Sequence, residues 1–180
     1  VQGGITAGLM QTFYESNYAN LLSDENVKDS LQVVNLSSKP DFWQGIGGYY
    51  KNLTARLTTE TPLSLSVDGT ATDISMDLSD VLVENLDLNI NASDVALTMG
   101  DGLPEGNISI NATASTITII YPDTVGVEII SNPTISSYNF EGFEAASDGL
   151  VYRSEGYDVQ PQKSRLSIDY TVSRVTVVQQ

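Results

Sequence analysis

Any chemistry in this 180-residue chain must come from oxygen and amide groups, because the sequence holds no cysteine and no histidine. That removes thiol nucleophiles, disulfides, thiolate metal sites, the Ser-His-Asp triad and the ordinary zinc site. Carboxylate chemistry is what is left. Asp73, Asp77, Asp87, Asp94 and Asp169 lie in or beside alternating apolar segments, where they can line up across strands. Glycoside hydrolysis needs two such groups facing one cleft, roughly 5–9.5 Å apart. A solvated acidic face is their ordinary role, and nothing marks one of the five as a general acid. The reading is therefore non-enzymatic, with no catalytic residue and no cofactor assigned. Oxygen-only ligands suit Ca2+, and Asp68, Asp73, Asp101 and the acids of 141–158 are the candidate donors. Neither an EF-hand nor a Gly-Gly-x-Gly-x-Asp repeat accompanies them. Gly45-Ile-Gly47-Gly48 lacks the lysine and the spacing of a phosphate loop.

The other chemistry on offer is modification. Asn35, Asn52, Asn91, Asn107 and Asn111 each begin an Asn-x-Ser/Thr sequon, and Pro133 disqualifies Asn132. Asn91 and Asn111 are either tight-turn residues or glycan anchors on one exposed edge.

The balance of charge limits the partners. With 23 acidic and 8 basic residues the net charge is −15, which opposes phosphate binding and adsorption to anionic lipid. Nucleic acid is excluded as a partner on that ground. No apolar run approaches the ~18 residues that span a bilayer, and the N-terminus lacks a signal-peptide pattern. Val1 is not a methionine, so a processed or trimmed chain is expected, with membrane attachment only through a segment outside it.

The elements that must carry these groups are strands. Leu88-Asn-Ile90-Asn91-Ala92-Ser93 leads to Leu97-Thr-Met99, and Ile108-Ser-Ile110-Asn111-Ala112-Thr113 leads to Ile117-Thr-Ile119. Strict alternation places successive side chains on opposite faces, and the 20-residue period implies stacked units. Leu63–Leu78 reads as an earlier copy, aligned Val67 on Ile90 at offset 23. Ile130-Ser-Asn132-Pro133-Thr134 matches the Ile110 unit at offset 20. Residues 139–162 form an irregular excursion around one strand, Leu150–Ser154, and Leu166–Val177 returns at offset 80 from Leu88. Each unit supplies two short strands and a corner, with Leu88, Ile90, Leu97, Met99, Ile108, Ile110, Ile117 and Ile119 pointing inward.

Residues 1–57 follow a different grammar. Ile5, Leu9, Met10, Phe13, Tyr14, Tyr18, Leu21 and Leu22 recur at spacings of three and four, and Val27, Leu31 and Val34 repeat the pattern after Ser23-Asp24. This predicts a small N-terminal helical segment, with a short helix over 41–44 and an aromatic group, Phe42, Trp43, Tyr49 and Tyr50, sealing it onto a neighbouring sheet.

The run from Leu86 to Val178 resembles the toast-rack domain, the soluble part of LiaF-like cell-wall-active-antibiotic response proteins. The matching features are the Leu-Asp-Leu-Asn-Ile-Asn-Ala-Ser-Asp-Val unit at 86–95, Leu103-Pro-Glu-Gly106 and Ile117-Thr-Ile-Ile-Tyr-Pro-Asp-Thr-Val-Gly-Val127. Ser154-Glu-Gly-Tyr157 and the closing segment Ile168 to Val177 complete them. The resemblance implies a mainly β fold, a toast-rack-like stacked sheet or β-solenoid over 58–180. It also implies a surface or cell-envelope domain, extracellular or in the envelope, acting through protein contacts. Two other readings stay open: a self-assembling structural subunit of a filament, sheath or surface layer, and a carbohydrate-binding or carbohydrate-active solenoid.

Overall fold

The computed structural model describes the backbone of residues 2–7, 10–16, 19–28, 31–40, 51–57, 59–102, 105–146 and 149–180, with side chains from Ala55 onward. The described elements are β1 (Gln2–Ala7), β2 (Met10–Ser16), β3 (Ala19–Lys28), β4 (Leu31–Pro40), β5 (Lys51–Leu57), β6 (Leu63–Thr70), β7 (Asp73–Leu78), β8 (Val83–Asn91), β9 (Asp94–Met99), β10 (Glu105–Thr113), β11 (Thr116–Tyr121), β12 (Val125–Thr134), β13 (Ser137–Glu141), β14 (Phe143–Ala145), β15 (Val151–Ser154), β16 (Gln162–Thr171) and β17 (Arg174–Gln179). The chain divides after Thr58 into two compact units.

In the first unit the described residues are strands, where the spacing predicted helices. β2 lies between β1 and β5, antiparallel to both, and β3 pairs antiparallel with β4. Two features of the sequence outweigh the helical spacing. Gly3-Gly4 disfavours a helix, and Thr12-Phe13-Tyr14 and Val33-Val34 are β-branched or aromatic runs that suit a pleated surface. The short helix expected over 41–44 and the aromatic group Phe42, Trp43, Tyr49 and Tyr50 lie outside the described residues.

The second unit is a stack of strand pairs. β6, β8, β10, β16 and β12 run parallel in a long sheet, extended by the antiparallel β15 and β14. β7, β9, β11, β17 and β13 run parallel in a short sheet. Each layer is one strand from each sheet joined at a corner. Every side chain expected to point inward is buried, from Leu88 and Ile90 through Ile117 and Ile119. The last layer to be made, β16/β17, is not at the end of the stack. It sits between β10/β11 and β12/β13, so the excursion through β14 and β15 carries the chain past its own fourth layer and back inside it.

The register corrects the 20-residue period. Leu88 pairs with Ile110 and Val95 with Ile117, a step of 22, while Val67 pairs with Leu88, a step of 21. A slip of two residues leaves the inward and outward sets unchanged, so alternation alone cannot detect it. Ile110 and Ser131 both pair with Ile168, again a step of 21. Here the odd step matters: Ser131 takes the inward position in place of Ile130, and its hydroxyl lies 2.9 Å from that of Tyr170.

The corner sets the register. Ala71, Ala92, Ala114, Ile135 and Val172 all have φ near +50°, a left-handed conformation that costs an L-residue roughly 1–2 kcal/mol. Each is followed by a hydroxyl residue: Thr72, Ser93, Ser115, Ser136 or Ser173. The serines form a ladder up the stack. The N–H of Ser93 donates to Ser115 Oγ (3.2 Å), that of Ser115 to Ser173 Oγ (3.1 Å) and that of Ser173 to Ser136 Oγ (3.0 Å). Each of these four hydroxyls also donates to the carbonyl two residues back, at 2.8–3.0 Å. The second full corner is therefore Thr113-Ala114-Ser115, and Asn111-Ala112-Thr113 lies inside β10.

Candidate functional site

The corners hold two surfaces in place. The first is the outer face of the long sheet. Strand register puts Asp68, Asn89, Asn111, Asp169 and Asn132 in one column across the five parallel strands, and Thr70, Asn91, Thr113, Thr171 and Thr134 in a second, two residues along. All ten are exposed. Between the columns run Gly69, Ile90, Ala112, Tyr170 and Pro133, of which all but Pro133 are buried. The result is a trough of about 770 Å3 with Leu150 at one end. Asn111 donates its amide to Asn89 Oδ1 (3.1 Å) and Asn132 to Asp169 Oδ1 (3.0 Å).

The second surface is the end of the stack at β13. Tyr138 and Phe140 occupy inward positions opposite Val175 and Val177, and no further strand follows β13 among the described residues. Aromatic rings cluster at this end, whereas the interior is mostly aliphatic apart from the buried Tyr121 and Tyr170. Tyr138 stacks on Phe140 (4.9 Å between centroids), and Tyr152 meets Phe140 edge-on at 4.9 Å. Tyr152 donates to the Tyr138 hydroxyl (2.8 Å), which with partial burial pushes its own pKa up to about 12. Four of the five exposed large apolar side chains among the described residues lie in these last layers: Ile135 is 87% exposed, Val172 59%, Leu150 49% and Tyr138 46%, while Val159 at 84% is in the turn before β16. Ile135 and Val172 are β-branched residues in the left-handed conformation, a genuine outlier for such side chains.

The carboxylates singled out in the sequence are divided between the two sheets. Asp73, Asp77 and Asp94 stand on the short sheet, Asp87 and Asp169 on the long one. Asp73 and Asp94 are in-register neighbours, and like charges so placed are destabilising. The Ser79 hydroxyl and N–H both donate to Asp77 and hold its carboxyl below the ordinary range, the opposite of a general acid. The calcium candidates are also separated: Asp68 is on β6 and Asp73 on β7, while Asp101 accepts the Thr124 hydroxyl at 2.9 Å. Among the described residues no three acidic side chains converge as a metal site. Glu128, not singled out in the sequence, accepts Arg153 at 2.8 Å and lies 3.5 Å from Arg165, a structural ion pair.

Three of the five sequons fall on the long sheet's outer face, at the exposed Asn91, Asn107 and Asn111. The hydroxyl of the Asn91 sequon, Ser93, is buried in the corner ladder. Asn35 and Asn52 lie in β4 and β5. The threonine column, the serine ladder and the two strained apolar corners escaped the sequence reading. Their signal is the recurring Thr/Asn-x-Ser/Thr triplet at 70–72, 91–93, 113–115, 134–136 and 171–173.

A family model described as the N-terminal domain of toast_rack, DUF2154, matches residues 1–120. The chain belongs to this toast-rack family. The match also takes in residues 1–57, which the resemblance left out. The toast-rack chain is also similar in fold to a solved protein from Clostridium sporogenes ATCC 15579, provisionally described as a cell adhesion protein. The TM-score is 0.85 and the identity 19%, over 98% of this chain and 85% of that one. No curated protein matches the toast-rack chain. No helix among its described residues is long and apolar enough to cross a membrane.

Proposed function

We propose that this toast-rack chain is a non-enzymatic domain of the cell surface or envelope that works through protein contacts at the β13 end of its stack. The observation that carries this reading is the pair Ile135 and Val172, neighbours in adjacent layers, since the Val172 N–H donates to the carbonyl of Thr134 (3.0 Å). Each is apolar, exposed and strained. A left-handed corner is best served by glycine or asparagine, so stability alone does not account for isoleucine and valine. Strain retained with exposed apolar surface is characteristic of contact sites. Family membership and the provisional description of the solved neighbour agree with a surface setting.

A second reading, self-assembly into a filament, sheath or surface layer, is favoured by one further feature. β13 ends its sheet among the described residues, and an open edge can pair with another strand. Proximity labelling on the native cell tests the first reading. Proteins labelled by the wild-type chain should be lost with Ile135→Ser/Val172→Ser, and an unchanged set would refute it. Sedimentation velocity separates the two: large ordered polymers at high concentration favour self-assembly, a monomer throughout favours a different partner.

A further inference from the structure

We infer that the trough on the outer face of the long sheet binds a linear polysaccharide without acidic groups, lying along the stack axis. The two side-chain columns run perpendicular to the strands, so their chemistry repeats at the strand spacing of about 4.8 Å. Successive rings of an extended linear pyranose chain follow one another at a similar interval, with alternate rings turned over in a β-1,4 chain, so each rung can meet a ring and every second rung meets the same ring face. Five rungs in a row therefore suit an oligosaccharide better than a single sugar. The trough, at about 770 Å3, is within the range of ordinary ligand sites.

The rungs carry the groups that hydroxyls need. Asparagine amides and threonine hydroxyls both donate and accept, and Asp68 and Asp169 add acceptors. The hydrogen bonds that the Asn111 amide donates to Asn89 and the Asn132 amide to Asp169 orient these side chains before any ligand arrives, which lowers the ordering cost of binding. Charge selects the kind of glycan. Two carboxylates and no lysine or arginine line the trough, on a chain of net charge −15. A polyanion is repelled, and a neutral or amine-bearing chain is accepted. A protein partner fits this face less well, because interface cores rely on aromatic and apolar anchors. Here the exposed anchors are confined to Pro133 and Leu150, since Ile90, Ala112 and Tyr170 line the trough but are buried. The same assignment leaves Asn91 and Asn111 unmodified, since a glycan attached to either would fill the trough.

Isothermal titration of the full chain tests this with three probes: cellohexaose, a glucosamine hexamer and hexagalacturonate. Saturable binding of the first or second, with none of the third, is the expected result. Asn89→Ala/Asn111→Ala and Thr113→Ala/Thr171→Ala should each weaken it at least tenfold with an unchanged circular dichroism spectrum. Asp94→Asn on the short sheet should have no effect. The two double variants alter different columns, so misfolding of one leaves the other decisive. The inference is overturned if neither uncharged nor cationic probe binds, if the anionic probe binds equally well, or if both trough variants bind like wild type. A native intact mass showing a glycan on Asn91 or Asn111 also overturns it. The titration involves no protein partner, so its failure leaves the β13-end contact standing, and the reverse holds too.

Discussion

The corners at Ser115 and Ser136 are built alike and situated differently. Ser115 is fully used: its N–H donates to the next serine, its Oγ accepts the N–H of the previous one, and its hydroxyl donates to Thr113. Ser136 accepts from Ser173 and donates to Thr134, in the layer that ends the ladder. The Thr-x-Ser grammar therefore makes the same turn whether or not another layer follows. What changes is the side chain at the left-handed position. It is alanine in the first three layers, and valine or isoleucine in the last two of the stack. The repeated residues maintain the stack, and the departures from repetition fall in its last two layers, the end at which we propose that a partner docks.

A buried charge gives the sharpest way to break this comparison. Ile117 and Tyr138 both pair with Val175, one on each side of it. Ile117 is fully buried and Tyr138 half exposed. An unpaired carboxylate in place of Ile117 exceeds what a domain with about 5–15 kcal/mol of stability tolerates. Ile117→Asp should abolish the cooperative thermal transition, whereas Tyr138→Asp should leave it present at a lower temperature. Equal outcomes would mean that the end layer is packed like the interior.

The serine ladder gives the next effect. Ser115→Ala leaves the buried Ser93 N–H without its acceptor, at a cost of about 1–3 kcal/mol. Ser136→Ala acts on the N–H of the buried Ser173, but Ser136 itself is half exposed in the end layer, where water can take the place of the lost hydroxyl, so less than about 1 kcal/mol is expected. Urea denaturation of both variants measures the difference.

This ladder also shows where the sequence was legible. Alternation fixes the inward set because the side-chain period of a strand is two, and Leu88 to Ile119 obey it. Register is a separate quantity. Asn91-Ala-Ser93 and Asn111-Ala-Thr113 look like the same corner, yet the chain turns at Ala114, because the serine after it matches Ser93 in the ladder. The insertion of β16/β17 below β12/β13 left no trace in sequence order, since any parallel neighbour with the right alternation satisfies the same pairing. The trough was out of reach for the same reason: its columns exist only once the register is known. In residues 1–57 the apolar spacing suited a helix, and pairing between distant segments overrode it.

Alkaline titration separates the two regions by their tyrosines. Complete burial pushes the Tyr121 phenol far up in the interior, whereas Tyr152 at the end is raised to about 12 chiefly by the bond it donates to Tyr138. In the unfolded chain both ionise near pH 10. Above that pH the folded state holds more protons than the unfolded one, so stability must fall as pH rises. Stability should be level below about pH 10 and decline through pH 12. Tyr121→Phe should remove more of the decline than Tyr152→Phe once the pH passes about 12, where only the Tyr152 phenol ionises readily in the folded state, measured as the change in urea midpoint between about pH 9 and pH 12.5.

The smallest effect bears most directly on function. Val172→Gly relieves a left-handed valine, a gain of roughly 1–2 kcal/mol, and loosens the unfolded chain, a loss of roughly 0.4–1 kcal/mol. At mid-range the net gain is about 0.8 kcal/mol, or roughly 2–3 °C in melting temperature for a domain of this size. Ala92→Gly, which relieves the same backbone without a branched side chain, should gain less. If Val172 is kept for contact, the glycine variant is the more stable protein and the poorer partner, losing labelled neighbours on the cell as its melting temperature rises. Val172→Asn divides the two contributions, because asparagine tolerates the left-handed corner while presenting a polar tip. A lower melting temperature for Val172→Gly would instead show that the valine packs within its own domain, and the strained corner would then carry no argument for an interface.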